Sequence, residues 1–234
     1  MNVSELRREI RARGNTAIAE HSQRFFKTGK GEYGEGDKFL GIRVPVIRQL
    51  VKAHRSVPLG KIMLLVRSAF HEERLFGVLS LVDRHRRGNE HHKSEIYRMY
   101  VANLEYVNNW DLIDGSAHWI VGAHLQNRSR RFLYTCAKSK NLWRRRIAIM
   151  STYHYVLQHD FEETLKIAEI LRDDPEDLIH KATGWMLREV GNRDRKTAEA
   201  FLDRHYKKMP RTMLRYAIER FPESRRKAYL QGKV

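Results

Sequence analysis

Apolar residues recur along this chain every three or four positions, the spacing of one helix face, and strict alternation of the kind that builds a sheet is rare. Val46, Ile47, Leu50 and Val51 form one stripe behind Pro45, a residue suited to the first position of a helix. Ile147, Met150, Tyr153 and Leu157 form a second, and Leu165, Ile167, Ile170 and Leu171 a third. Five prolines and few β-branched runs leave little material for strands. Turn residues place loops at 29–36, 87–89, 127–129, 173–175 and 191–192. The pattern predicts about a dozen short helices joined by short turns. With no boundary signal, residues 1–234 are expected to form one all-α domain.

A local motif repeats inside these stripes: a basic residue shortly before a small one in an apolar run. It reads Arg74-Leu75-Phe76-Gly77, Arg145-Arg146-Ile147-Ala148, Lys181-Ala182-Thr183-Gly184 and, more faintly, Arg215-Tyr216-Ala217. The small residues are spaced by 71, 36 and 33, the first being about twice 35. That period is the short end of HEAT-type paired-helix repeats, so the expected architecture is a HEAT-like α-α superhelix with a concave face.

Charge then narrows the partner. Lys and Arg number 45 against 28 acids, a net charge of +17, and the pI is about 10.2. Such an excess points to a nucleic acid more often than to an anionic membrane. Basic clusters fall near helix ends at 84–87, 128–131, 144–146 and 225–227. In a regular repeat these would line one edge and track a phosphate backbone. No run of about 18 apolar residues is present, and the N-terminal residues carry no signal-type apolar core. A cytoplasmic, nucleoid-associated, monomeric protein without membrane contact is expected. The single cysteine, Cys136, reads as a buried structural thiol, and His91-His92 diverge on a helix, so neither metal nor cofactor is expected. The glycines at 29–36 lack the Gly-Lys-Ser/Thr ending of a phosphate-binding loop.

Candidate chemistry centres on Asn108-Asn109-Trp110-Asp111-Leu112-Ile113-Asp114. The Asn pair is a natural N-cap, and on the helix it opens Trp110 and Asp114 are i, i+4 neighbours on one face. Asp111 suits a helix-start acid favoured by the macrodipole. Trp185 lies within a small-residue repeat, with Arg188 three residues on, and Arg146 occupies the corresponding stretch one repeat earlier. If the inner faces align, Trp110, Asp114, Arg146 and Trp185 supply two aromatic walls, a carboxylate and a guanidinium. Arg188, Arg144, Arg145, Lys181 and Lys30 are the candidate contacts to a nucleic acid backbone.

Four segments carry a family resemblance: Phe39-Leu40-Gly41-Ile42-Arg43-Val44-Pro45, Trp110-Asp111-Leu112-Ile113-Asp114, Asn141-Leu142-Trp143-Arg144-Arg145-Arg146 and Lys181-Ala182-Thr183-Gly184-Trp185-Met186-Leu187-Arg188-Glu189. In this order they resemble the AlkD-type DNA alkylation repair glycosylases, over roughly residues 4 to 220. The resemblance implies a HEAT-like fold holding duplex DNA, and hydrolysis of the N-glycosidic bond of cationic N3- or N7-alkylated purines. It gives Asp114 the catalytic acid's place, Trp110 and Trp185 the ring contacts, and Arg146 the arginine. It also implies that the damaged base is not drawn into a protein pocket. The chain departs from the family at Lys27–Lys38, a Gly-rich segment where a shorter one is expected. A noncatalytic DNA-binding relative is the alternative expectation.

Overall fold

The computed structural model describes residues 2–234, and among them the only β pairing is an isolated bridge between Lys38 and Phe70. The fold is all-α. Backbone contacts divide it into two units, residues 1–116 and 117–234, each taken by itself below.

The first unit contains α1 (Val3–Arg11), α2 (Thr16–Phe25), α3 (Val44–Ala53), α4 (Leu59–Val66), α5 (His71–Arg87), α6 (Glu90–Val101) and α7 (Trp110–Asp114). Its axis is α5, whose residues 71–80 are all buried. Gly77 lets α5 close on α4: a Cβ there would lie 2.8 Å from the Val66 nitrogen. Pro45 falls in the first turn of α3, one residue after its start at Val44, and Ile47, Leu50 and Val51 face inward as the stripe predicts.

The second unit begins with a π-helical turn, His118–Gly122, that runs into α8 (Ala123–Leu125). It continues through α9 (Arg131–Ala137), α10 (Leu142–Ser151), α11 (Tyr153–Val156), α12 (Glu162–Ile170), α13 (Asp177–Arg193), α14 (Arg195–His205), α15 (Arg211–Ala217) and α16 (Glu223–Gln231). Consecutive helices pair, α9 with α10 and α12 with α13, while α15 lies along α13. Ala148, Gly184 and Ala217 are buried on α10, α13 and α15, so the repeat read from the sequence marks the second helix of the pairs α9–α10 and α12–α13, and the face of α15 that lies along α13.

Three sequence expectations change. The loop expected at Gly191-Asn192 lies inside α13. Gly191 serves packing there, since a Cβ would meet Ala198 and Phe221 at 3.3 Å. The stripe ending in Tyr153 and Leu157 is interrupted because α10 ends at Ser151 and α11 starts afresh, leaving Leu157 exposed. On α12 the inward residues are Glu163, Thr164, Ile167 and Ala168, and Ile170 faces out. Cys136 is buried, and that burial pushes its thiol up to about 11, as expected of a structural cysteine. No described helix is long and apolar enough to cross a membrane.

Candidate functional site

Helix α7 is five residues long, too short to persist alone, so its position is set by what surrounds it. The Asn109 side chain caps it by accepting the Trp110 N–H at 2.9 Å. Leu112 and Ile113 are fully buried, which turns Trp110 and Asp114 toward the half-buried side. Trp110 lies parallel to Phe26, ring centroids 5.0 Å apart, with Phe25 edge-on at 5.9 Å. Phe25 is 58% exposed, so the aromatic face is open to solvent at one edge.

Beneath this face lies a buried ionic cluster. His71 Nε2 donates to Asp111 at 2.8 Å and Nδ1 to Asp37 at 2.9 Å, and Arg74 reaches both oxygens of Asp37 at 2.8 Å. Burial pulls the His71 ring toward neutrality, but the charge and hydrogen bond of Asp111, then those of Asp37, push it up to about 9. For Asp37, burial raises the carboxyl pKa; His71 and Arg74 outweigh this and hold it below the usual range. Asp111 therefore does more than start a helix: one oxygen accepts the Leu112 N–H at 2.9 Å while the other holds His71.

Asp37 comes from the Gly-rich segment. Its turns are stitched internally, with Glu32 accepting the Gly29 N–H and Glu35 the Gly31 N–H, and Gly31 and Gly36 at positive φ. Lys30 is exposed on it. The next stretch, Leu40-Gly41-Ile42, donates three backbone N–H groups to the Glu72 carboxylate at 2.7–3.1 Å. Gly41, at φ +78°, has no room for a Cβ against Asn15.

In the second unit Trp185 sits half-buried on α13, its Nε1 donating to Glu189 at 3.2 Å. Tyr153 lies 6.4 Å from it, His118 packs edge-on to Tyr153, and Trp119 lies 4.8 Å from His118. Arg193 pairs with Glu189 at 2.9 Å and covers the Tyr153 ring. Arg146 is buried and donates to the Leu178 carbonyl at 2.7 Å, joining α10 to the first turn of α13. Trp185 lies seven residues further along that helix, about 10 Å.

The basic clusters separate into buried struts and exposed residues. Arg145 binds Asp174 at 2.5 Å and two backbone carbonyls, whereas the adjacent Arg144 is exposed. Arg130 lies over the Tyr155 ring and pairs with Asp160, whereas Arg131 is exposed. Lys181 pairs with Asp177 at 2.7 Å and Arg188 pairs with Glu219. Asn141, ahead of the Arg triplet, is an N-cap accepting the Trp143 and Arg144 N–H groups.

With this geometry in place, the family model for DNA alkylation repair enzymes matches residues 6–221. The chain belongs to the DNA alkylation repair enzyme family. No curated protein gives a match. Among solved structures, a predicted DNA alkylation repair enzyme from Enterococcus faecalis superposes with a TM-score of 0.68, covering 90% of this chain and 98% of that one at 17% identity. A likeness at that identity is one of fold.

Sequence reasoning missed His71, Asp37 and Phe26 in the first unit, and Tyr153 and His118 in the second. One signal for His71 was present: His71-Glu72-Glu73-Arg74 sets four polar residues in a row at the start of a long apolar helix. Four polar residues in a row include some that turn inward on a helix, and inward-facing charges must be paired.

Proposed function

We propose that this chain hydrolyses the N-glycosidic bond of cationic N3- and N7-alkylated purines in duplex DNA, with Asp114 as the catalytic carboxylate. The observation that carries the reading is the pair Trp110 and Asp114, four residues apart and both half-buried, on a helix clamped in place within a strongly basic chain. An alkylated purine already bears positive charge, so the electron pair of the glycosidic bond neutralises it as it leaves and no general acid is required. The sugar becomes an oxocarbenium ion, which one carboxylate stabilises while positioning a water and taking its proton. Aromatic faces suit the electron-poor sugar, a role given to Trp110, and Trp185 is the ring the second unit offers to DNA.

Arg146, buried and spent in part on the Leu178 carbonyl, is given the task of fixing the start of α13. Backbone contacts fall to exposed Arg144 and Lys30, with Lys181 and Arg188 exchanging their carboxylate partners for phosphate. The family match runs through both units, which supports one DNA-binding domain.

The test is release of 3-methyladenine or 7-methylguanine from alkylated duplex by the native chain and by Asp114→Asn. The native chain is expected to release base and the variant to lose at least about a hundredfold in rate. Equal release by both would remove Asp114 from the chemistry. Salt-dependent duplex binding without release would make the protein a noncatalytic DNA-binding relative.

A further inference from the structure

The charges around His71 take no part in the chemistry above. The ring is 2% exposed and sits between carboxylates from two other segments, Asp37 of the Gly-rich stretch and Asp111 of α7. A carboxylate only accepts hydrogen bonds, so both ring nitrogens must carry a proton and the ring is an imidazolium. Arg74, from the same helix as His71, completes a set of two cations and two anions. Phe39 stacks on the ring at 4.4 Å and Phe26 lies 5.1 Å from it, and Phe26 in turn stacks on Trp110. The ring therefore grips α7 twice, through Asp111 and through the aromatic stack.

We propose that His71 is the positioning residue of this site: its two ring nitrogens hold α7, and with it Trp110 and Asp114, against the Gly-rich segment in one arrangement. This rests on the reading of Trp110 and Asp114 as the reacting face. The Gly-rich segment thereby becomes a structural part of the site, since Asp37 is half of the grip. Loss of the ring proton removes one of the two donors, so either Asp111 or Asp37 loses its hydrogen bond to the ring and the link between α7 and the Gly-rich segment is broken at that end. The charged groups facing the ring are Asp37 from the segment, Asp111 from α7 and Arg74 from α5. The grip is complete at neutral pH and is lost as pH rises through about 9.

The experiment titrates the full chain from pH 7 to 10, following the ¹⁵N resonances of the His71 ring, the Trp110 emission (the difference from Trp110→Phe) and base release. Emission is expected to shift with the same midpoint as the ring. Base release should fall at least tenfold in kcat across the whole transition, with its midpoint at the ring's, while duplex Kd changes less than about twofold. In Asp111→Asn, which keeps an acceptor but loses the charge, both midpoints should move down by at least one pH unit. His71→Gln should show no transition; if it does not fold, Asp111→Asn carries the test.

Emission that stays level while the ring titrates, or midpoints unmoved in Asp111→Asn, would overturn the proposal whether or not base is excised. Base release that stays level through the ring's titration would overturn it as well. Coupled midpoints in a protein that releases no base would sink the glycosylase reading and leave the positioning role standing.

Discussion

Helices α7 and α13 each present a tryptophan, and they are built by opposite means. Trp110 stands on five residues that could not hold a helix alone; a capping Asn109, an aromatic stack and a buried ionic cluster hold them. Trp185 stands on seventeen residues packed against α10, α14 and α15, with Gly184 closing the gap to α15. One tryptophan's helix is thus fixed by directional charges and the other's by apolar contact. Directional fixing sets a side chain more sharply, but it makes the element dependent on every partner's protonation state. Apolar fixing is indifferent to pH and sensitive to volume.

The largest test of that contrast is His71→Leu. It leaves the buried Asp37 carboxylate and the partly buried Asp111 each with one partner too few, and should cost about 3–5 kcal/mol in denaturant unfolding of the first unit. The pH dependence has a definite sign. The His71 pKa is raised in the folded state, from 6.5 to about 9, so its stabilisation is full below 6.5 and is lost as pH rises through 9. The change is about 3 kcal/mol, and His71→Leu should abolish it. A native chain whose first unit is equally stable at pH 6 and pH 10 would contradict the contrast.

Gly184→Ala probes the other helix and comes next in size. Its Cβ would lie 2.5 Å from the Met213 carbonyl oxygen and 2.6 Å from the Tyr216 Cβ, so α15 must shift as a backbone. A loss of about 1–3 kcal/mol is expected, identical at pH 6 and pH 9. A pH-dependent loss would show that α13 also leans on titrating groups.

These two sites differ in how far they could be read from sequence. The Gly184 contact was legible, because a small residue recurring in apolar runs has one economical explanation, close helix packing. Trp110, Asp114 and their cap were legible too, from the Asn pair and the i, i+4 spacing. The His71 cluster was not, since its members lie 34 and 40 residues apart and only tertiary folding brings Asp37 and Asp111 to one ring. The Gly-rich segment read as a loop, and its turns gave no sign that its last acid would be buried. Gly191 misled for the opposite reason: its flexibility suggested a turn, while the fold uses only its small size. Arg144 and Arg145 looked alike as phosphate contacts, and burial made them unlike.

That difference supplies the smallest effect and the sharpest separation of surface charge from structure. Arg144 is exposed, so Arg144→Ala should leave stability within about 0.5 kcal/mol. If Arg144 meets a phosphate, the variant should reduce the slope of log duplex affinity against log salt by about one. Arg145 is tied to Asp174, itself 3% exposed, and to the carbonyls of Ser139 and Lys140. Arg145→Ala should therefore lower the unfolding midpoint and leave the salt slope unchanged. Neighbours in sequence would then act on different properties, because one guanidinium remains available to DNA while the other is already consumed by the fold. A reduced salt slope for Arg145→Ala, measured where it remains folded, would mean that Asp174 releases its partner when duplex binds.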